Sequence, residues 1–418
     1  MTLWEYLKGK MSEYGEKVVF AHSGVTYKEL LNLPCSSLND SKIVLCEGVS
    51  REEQALKILR CLAEGNVAVP ITKEYGEKNY RYICCLVEKV PLEARKDMAF
   101  LMFTSGTTGQ PKGVMLTHEN IISNLKYISS YFDLSGMKSI CVARPLVHIA
   151  VLTGEILYAL CCGLTIYFYE ETFMPQRLLS YLKKNHTDVF CATPTLYQML
   201  ALIAKDGAFS VKVGVLSGEV LTSRVGENIR KAFPATAFYN VYGLTEHSPR
   251  VSALLPEDFS RKPGSVGKAI GDVRLKIIDG ELMVKSASVM RGYYPDEGKT
   301  RKKLSDGWLH TGDRAHFDSE GYLYIDGRKD GMLIKAGINV YPEEIENAVK
   351  KIPGVNDCVV FGETADTGTV ICMKYTGNAD IKEVRKHLSG ELNPNVVPGK
   401  IEKVEELART ASGKKLRG

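Results

Sequence analysis

Apolar residues in the first 260 positions fall mainly into short continuous runs, and polar stretches with helical spacing separate several of them. Each run ends in glycine, proline or polar residues. Continuous runs are typical of strands buried on both faces, so the pattern predicts a largely parallel sheet with helices between the strands. The runs are KIVLCEG (42–48), NVAVPI (66–71), AFLMF (99–103), SICVARPL (139–146), LTIYFY (164–169), DVFCATP (188–194), VKVGVLSG (211–218) and TAFYNVYG (236–243).

The pattern changes at about Gly264. From there, short strands with tight turns such as Asp279-Gly280 predict an antiparallel subdomain or barrel. After Asp330, a helix beginning at Pro342, two strands and a second helix predict a small α/β unit. We therefore predict an α/β protein with a large domain over 1–329 and a small mobile domain over 330–418, divided at a hinge in 326–330.

Composition excludes several classes of function. Of 418 residues, 44% are hydrophobic and 25% charged, and the net charge of +5 is mild, so neither a nucleic-acid partner nor a membrane surface is expected. The longest apolar candidate, 151–169, is interrupted by Glu155 and Gly163, so no membrane span is predicted. The N-terminus does not read as a signal peptide, and eleven cysteines without a CxxC pair indicate buried reduced thiols in a cytoplasmic protein.

The stretch TSGTTGQPKG (104–113) carries the densest candidate chemistry. Its glycines permit close approach of backbone N–H groups to phosphates, its hydroxyls can donate to phosphate oxygens, and Lys112 adds charge. The P-loop pattern fails, because Pro111 stands where the second glycine is required. The residues alone favour a phosphate-binding loop over a flexible turn, and they leave the turn open.

This stretch resembles the signature loop of the adenylate-forming superfamily, which includes acyl-CoA synthetases, firefly luciferase and the adenylation domains of nonribosomal peptide synthetases. Further motifs follow in the family's order: YGLTE (242–246), GELMVKSASVMRGYY (280–294), GWLHTGD (307–313), GRKD (327–330), KAGINVYPEEIE (335–346) and RTASGK (409–414). The resemblance implies an enzyme that converts a carboxylate and ATP into acyl-AMP and pyrophosphate. The acyl group then passes to a phosphopantetheine thiol.

The resemblance also assigns a nucleotide site. Glu246 resembles the Mg²⁺ ligand, Thr107 is a second metal contact, and Tyr242 resembles the residue that stacks on adenine. Asp313 is expected to accept hydrogen bonds from both ribose hydroxyls, and Arg328 is a second ribose or phosphate contact. The other nucleotide-binding candidates are Thr104, Ser105, Gly106, Thr108, Gly109, Lys112, Ser217, Gly218, Glu219, Asn240, Gly243 and Thr245.

Lys414 resembles the catalytic lysine that bridges the attacking carboxylate and the α-phosphate. Asp330 matches the hinge about which the small domain rotates between the two half-reactions, and Gly337 would leave room for a phosphopantetheine arm. The cofactors implied are ATP, Mg²⁺ and coenzyme A, or the phosphopantetheine of a carrier protein. A monomer or homodimer is expected.

The acid is expected to bind near His148, Ala150, Gly218 and Gly243. PLVHIAVLTG resembles a motif of acyl- and aryl-CoA synthetases, with His148 at the motif histidine. Amino-acid-activating relatives carry an aspartate that pairs with the substrate ammonium; its slot falls near Ala150, and no acid occurs between Arg144 and Thr153. An unpaired buried ammonium would be costly, so an α-amino acid is disfavoured. His148 could also be an ordinary core histidine.

The chain departs from the family pattern in three places. The segment between Ile71 and the glycine-rich loop is short, Ala408 replaces the usual proline, and the chain stops four residues after Lys414, which leaves little to anchor that segment. The leading interpretation is an acyl- or aryl-acid:coenzyme A ligase. The alternatives are a ligase that loads a carrier protein, or a non-catalytic nucleotide-binding relative.

Overall fold

The computed structural model describes residues 1–35, 41–72, 77–89, 97–104, 111–204, 211–331, 333–335, 338–340, 342–365, 368–392, 396–409 and 415–416. The chain forms two compact units. The larger unit comprises Met1–Lys276, Met283–Thr311 and Phe317–Leu323; the smaller comprises Ile277–Leu282, Gly312–His316 and Tyr324–Gly418.

The described helices are α1 (Leu3–Met11), α2 (Tyr27–Leu31), α3 (Arg51–Ala63), α4 (Glu77–Val87), α5 (His118–Ser129), α6 (Ile149–Val151), α7 (Tyr158–Cys161), α8 (Pro175–Lys184), α9 (Pro194–Ile203), α10 (Ser223–Ala232), α11 (Glu297–Lys303), α12 (Pro342–Lys350) and α13 (Ile381–Glu391). A π-helix over Leu152–Leu157 joins α6 to α7, and 3₁₀ turns lie at Thr245–His247 and Lys329–Gly331. None of the described helices combines the length and apolar character needed to cross a membrane.

The first sheet of the larger unit contains β1 (Ile43–Cys46), β2 (Val67–Pro70), β3 (Met98–Thr104), β4 (Lys112–Thr117) and β14 (Gly292–Tyr294), in that order. The first three strands run parallel, and α3 connects β1 to β2. Ser50 caps α3 by accepting a hydrogen bond from the Glu53 N–H. The strands β4 and β14 run antiparallel to their neighbours.

The second sheet has seven strands in the order β11-β10-β9-β8-β7-β5-β6. Their bounds are β5 (Ser139–Val142), β6 (Thr165–Phe168), β7 (Val189–Ala192), β8 (Val213–Ser217), β9 (Ala237–Gly243), β10 (Arg250–Leu254) and β11 (Lys268–Ala269). Strands β5 to β9 are mutually parallel, as the continuous apolar runs predict, and β10 and β11 are antiparallel. The carboxyl ends of β5, β7, β8 and β9 therefore lie along one edge, where ligands bind in sheets of this kind.

A further sheet contains β12 (Arg274–Ile278), β13 (Glu281–Lys285), β15 (Leu304–Ser305), β16 (Trp308–Phe317) and β17 (Leu323–Arg328). Asp279 and Gly280, between β12 and β13, both have positive φ (49° and 75°). Two consecutive residues with positive φ are the requirement of a type I′ hairpin turn, so the tight turn predicted from Asp-Gly is confirmed.

The smaller unit contains β18 (Leu333–Lys335), β19 (Ile338–Val340), β20 (Val355–Ala365), β21 (Gly368–Gly377) and β22 (Lys400–Lys403). Strands β20 and β21 are antiparallel, β22 joins β21 in parallel, and α12 and α13 pack on the sheet. Val349, Val360, Ile371, Val384 and Leu388 form part of its buried core. The predicted α/β architecture is confirmed in both units.

All eleven cysteines stand as free thiols in the structure. Burial is confirmed for six of them: Cys46, Cys61, Cys141, Cys191, Cys358 and Cys372. Cys35 and Cys85 are exposed, so the prediction of burial is wrong for these two.

Candidate active site

In the sequence, the glycine-rich stretch lies between β3 and β4, which pair as antiparallel neighbours. Thr104, the last residue of β3, is paired with Lys112, the first residue of β4. The predicted phosphate contacts Ser105, Gly106, Thr107, Thr108 and Gly109 lie outside the described residues. Thr104 and Lys112 are half-buried, and the Lys112 Nζ lies 5.6 Å from the centre of the Tyr293 ring.

Glu246 lies in the 3₁₀ turn that follows β9, and two contacts from the GYY segment hold it. Its Oε1 accepts a hydrogen bond of 2.6 Å from the Tyr293 hydroxyl, and its carbonyl accepts one of 2.9 Å from the Met290 N–H. The structure therefore brings together two predicted site residues, Glu246 and Lys112, around Tyr293. Sequence reasoning did not single out Tyr293, although the quoted GYY motif contains it.

The next residue, His247, holds this turn through buried hydrogen-bonding contacts. Its ring is buried and lies 3.0 Å from the Arg250 carbonyl and 2.7 Å from the Ser286 hydroxyl. Burial lowers the His247 pKa to about 4, so the ring is neutral at pH 7. Asn124 donates to the carbonyls of both His247 and Arg250. The backbone that carries Glu246 therefore rests on a set of satisfied buried polar contacts.

The carboxyl end of β8 forms the predicted turn of Ser217, Gly218 and Glu219. Gly218 has a backbone φ of 89°, which residues with a Cβ rarely adopt, so glycine is required there. The Glu219 carboxylate accepts from both the N–H (3.1 Å) and the hydroxyl (2.6 Å) of Thr195. Glu219 thereby links the turn after β8 to the start of α9.

The predicted residues of β9 divide into two groups. Asn240 is 1% exposed and its amide donates to the Ser265 carbonyl at 2.7 Å, which is a structural contact inside the sheet. Tyr242 and Thr245 are half-buried, and Gly243 is exposed. A Cβ at Gly243 would lie 2.2 Å from the Pro249 carbonyl oxygen, so no other residue fits this strand pairing.

His148 and Ala150 are half-buried at the start of α6, beyond the carboxyl end of β5. The π-helix that follows places Glu155 in the interior, with its side chain 0% exposed. Glu155 Oε1 accepts from Arg144 Nε (3.1 Å) and Nη2 (2.5 Å), and Arg144 Nη1 donates to the Ser217 hydroxyl at 3.0 Å. Burial raises the pKa of Glu155, and the Arg144 guanidinium opposes that shift.

Sequence reasoning missed this Arg144–Glu155–Ser217 chain. The signal in the sequence was Glu155, a glutamate inside the otherwise apolar stretch 151–169. Above, it was used only as an argument against a membrane span. Buried charges are normally paired, so Glu155 implied a cationic partner. The sequence could not identify Arg144 as that partner, because the π-helix decides where Glu155 points.

In the smaller unit, the predicted ribose contacts lie together. Asp313 in β16 is 6% exposed and accepts from Arg328, at the end of β17, at 2.9 Å. Next to Asp313, the Gly312 N–H donates to Glu281 Oε1 at 3.0 Å. Asp313 is therefore held by a cation within its own unit.

The segment around the predicted catalytic lysine is anchored by Asp357. Its carboxylate accepts from Arg409 Nη2 and Lys415 Nζ, both at 2.6 Å, and Lys415 Nζ also donates to the Cys358 carbonyl at 2.7 Å. Arg409 and Lys415 form a β-bridge. The expectation of little anchorage here is wrong, although Lys414 itself lies outside the described residues, as do Gly337 and the side chain of Asp330.

Comparison with known proteins identifies the family of this chain. The family profile described as AMP-binding enzyme matches residues 15–294, and that of the AMP-binding enzyme C-terminal domain matches 344–414. A feruloyl-CoA synthase of Amycolatopsis sp is 32% identical over 341 residues, which are 77% of this chain and 69% of that protein. A long-chain-fatty-acid–CoA ligase of Bacillus subtilis (strain 168) is 31% identical over 350 residues, covering 78% of this chain and 62% of that protein.

Solved structures share the fold. The amide bond synthetase McbA from Marinactinospora thermotolerans has a TM-score of 0.85 at 21% identity, covering 99% of this chain and 98% of that one. The O-succinylbenzoate coenzyme A synthetase MenE from Bacillus subtilis, in complex with AMP, has a TM-score of 0.83 at 23% identity, covering 100% and 97%. With two family profiles matched in order along the chain, this protein belongs to the family of AMP-binding enzymes.

Proposed function

We propose that this enzyme activates a carboxylic acid with ATP through an acyl-AMP intermediate, releases pyrophosphate, and transfers the acyl group to the thiol of coenzyme A with release of AMP. The observation that carries the proposal is the convergence of Lys112, the first residue of β4, and Glu246 on Tyr293. Adenylation requires an anion to attack a polyanion, so the site needs positive charge and fixed positions.

Glu246 suits a magnesium ion. Its carboxylate is half-buried, and one of its oxygens is already held by a phenol. Among the described residues, no three His, Cys, Asp or Glu side chains cluster as a metal cage. That arrangement fits Mg²⁺, which proteins usually bind through one or two carboxylates together with substrate phosphates. We propose Glu246 and the Thr107 hydroxyl as its protein contacts; the bound ion would neutralise charge on the phosphates.

Other roles rest on the motifs. We propose that Asp313 binds the ribose hydroxyls and that Arg328, beside it, both orients this carboxylate and reaches the ribose or phosphate. Lys112 neutralises phosphate charge, and Lys414 bridges the attacking carboxylate and the α-phosphate. The residues after Asp330 would rotate between the half-reactions and bring Gly337 toward the thiol arm.

For the substrate, we propose an acyl or aryl acid without an α-ammonium group. Along the sequence, the buried acid that follows His148 and Ala150 is Glu155, and it is paired with Arg144. An ammonium would therefore lack a free carboxylate there. Relatives include a feruloyl-CoA synthase and a long-chain-fatty-acid–CoA ligase, which supports both acid classes. Eleven free thiols support a reducing compartment such as the cytoplasm.

The test is acid-dependent ATP–pyrophosphate exchange across a panel of aromatic, fatty and amino acids, followed by addition of coenzyme A or a phosphopantetheinylated carrier protein. We expect exchange with an acyl or aryl acid and thioester formation with coenzyme A. Thioester formation only with the carrier would favour a carrier-loading ligase. No exchange with any acid would contradict the proposal and favour a nucleotide-binding relative.

The half-reactions separate the role of Lys414. Lys414→Ala should abolish pyrophosphate exchange, because the bridge to the α-phosphate is lost, and it should spare thioester formation from supplied acyl-AMP. Equal loss of both half-reactions would contradict this role.

A further inference from the structure

Tyr293 stands where three segments of the larger unit meet, and none of the roles above uses it. It is 5% exposed, its hydroxyl donates to Glu246 at 2.6 Å, and its ring lies beneath the Lys112 ammonium, 5.6 Å from the ring centre. The tyrosine therefore contacts the predicted Mg²⁺ ligand Glu246 through its hydroxyl and the predicted phosphate contact Lys112 through its ring.

The backbone of Tyr293 is held rigidly. Strand β14 pairs with β4, with Tyr293 opposite Val114. On its other side, the Tyr293 N–H donates to the Thr300 hydroxyl at 2.8 Å. Gly292 has φ of 156°, and a Cβ there would lie 2.6 Å from Thr300 Cγ2, so the chain passes close to α11. A ring fixed in this way can hold another side chain in one orientation.

The chemical nature of the group that donates to the Glu246 carboxylate decides whether this carboxylate can bind a metal ion. A carboxylate that binds a metal ion must keep its negative charge and present one oxygen. Arg or Lys at this position would hold Glu246 but cancel its charge. A phenol is neutral, so it fixes Oε1 by a charge-assisted hydrogen bond and preserves the charge. Among the described contacts, no hydrogen bond engages Oε2, so this oxygen can face a ligand.

We propose that Tyr293 is a positioning residue that orients the Glu246 carboxylate so that Oε2 faces the magnesium ion of Mg-ATP. This inference rests on the proposed function, specifically on Glu246 as a Mg²⁺ ligand. Replacing a residue that orients a metal ligand typically lowers metal affinity by about 10- to 100-fold.

The test is Tyr293→Phe, which removes one oxygen atom and keeps the ring beneath Lys112. We expect the Mg²⁺ concentration for half-maximal pyrophosphate exchange to rise by about tenfold or more. Calorimetric titration of Mg-ATP without any acid should show a comparable loss of affinity. ATP affinity in excess EDTA and the melting temperature should stay near wild type, because packing and the Lys112 contact remain.

Tyr181→Phe is the matched control. It removes a half-buried tyrosine hydroxyl in the same unit, one that donates to the Phe168 carbonyl at 2.8 Å. Its Mg²⁺ requirement should equal that of wild type. If Tyr293→Phe also keeps the wild-type Mg²⁺ requirement, or if its ATP affinity falls equally in EDTA, the proposal is overturned.

Glu246→Gln separates this inference from the role on which it rests. A wild-type Mg²⁺ response in Glu246→Gln would contradict Glu246 as the ligand and, with it, the role of Tyr293. A changed response in Glu246→Gln but not in Tyr293→Phe would overturn Tyr293 alone. If Tyr293→Phe melts well below Tyr181→Phe, Glu246→Asp is used as the test variant instead. Its shorter side chain removes the carboxylate from the hydrogen bond with the Tyr293 hydroxyl. An unchanged Mg²⁺ requirement in Glu246→Asp would then overturn the proposal.

Discussion

Removing Arg144 should destabilise the larger unit strongly, because this side chain is the cationic partner of a fully buried glutamate. Glu155 is 0% exposed, and its Oε1 accepts both Arg144 bonds. Its Oε2 is already buried without a hydrogen-bond partner. In Arg144→Met, the carboxyl group would be left in the interior with no hydrogen-bonding partner.

The magnitude follows from the cost of breaking a buried ion pair, about 3–5 kcal/mol. With an unfolding entropy of roughly 2.1 cal/mol/K per residue over the roughly 310 residues of the larger unit, the melting temperature should fall by about 5–8 °C. Replacing both partners, in Arg144→Met/Glu155→Met, should cost much less, since buried pairs can often be exchanged for apolar side chains of similar size.

The pH dependence has a definite sign. Burial raises the pKa of Glu155 and Arg144 opposes the shift, so the pKa should rise further in Arg144→Met. A folded state that keeps this carboxyl protonated is favoured at low pH and loses stability as the pH rises above the ordinary glutamate range. The deficit of Arg144→Met relative to wild type should therefore be smaller at pH 5 than at pH 8.

The assay is thermal unfolding of wild type, both single variants and the double variant at the two pH values. The acid KM in pyrophosphate exchange provides a functional readout, because Arg144 also donates to Ser217. A single variant that melts within about 1 °C of wild type, or a double variant as unstable as Arg144→Met, would refute this reasoning.

Two further predictions concern the termini of the chain. His118 accepts a hydrogen bond from the Leu3 N–H, and burial lowers its pKa from 6.5 to about 4. Protonation of the unfolded state should therefore remove about 2 kcal/mol of stability between pH 8 and 5. Urea midpoints should show a smaller loss in His118→Asn, and an equal loss would contradict the assignment. Asp357→Asn should slow pyrophosphate exchange at least tenfold and spare thioester formation from supplied acyl-AMP, because Asp357 holds Arg409 and Lys415 on either side of 410–414. Glu363→Gln, which removes another ion pair of the same sheet, is its control, and an equal fall in both half-reactions would argue for a general structural role.

Local motifs were enough to select candidate site residues. Glu246 and Lys112 each stand in a short motif, and the structure brings both to Tyr293. For Asn240, the motif predicts a nucleotide contact but does not reveal that its amide donates to the Ser265 carbonyl. Its orientation depends on strand pairing and on Ser265, which is remote in sequence.

The amino-acid sequence by itself determined the parallel sheet, the tight turns, the order of motifs and the family, because each depends on local spacing and residue type. Only the tertiary structure decided the partners of buried polar groups. The π-helix turns Glu155 toward Arg144, β14 carries Tyr293 to Glu246, and the fold of the smaller unit brings Asp357 to Lys415. A buried charge or hydroxyl requires a partner for physical reasons, but which residue supplies it depends on packing between distant segments.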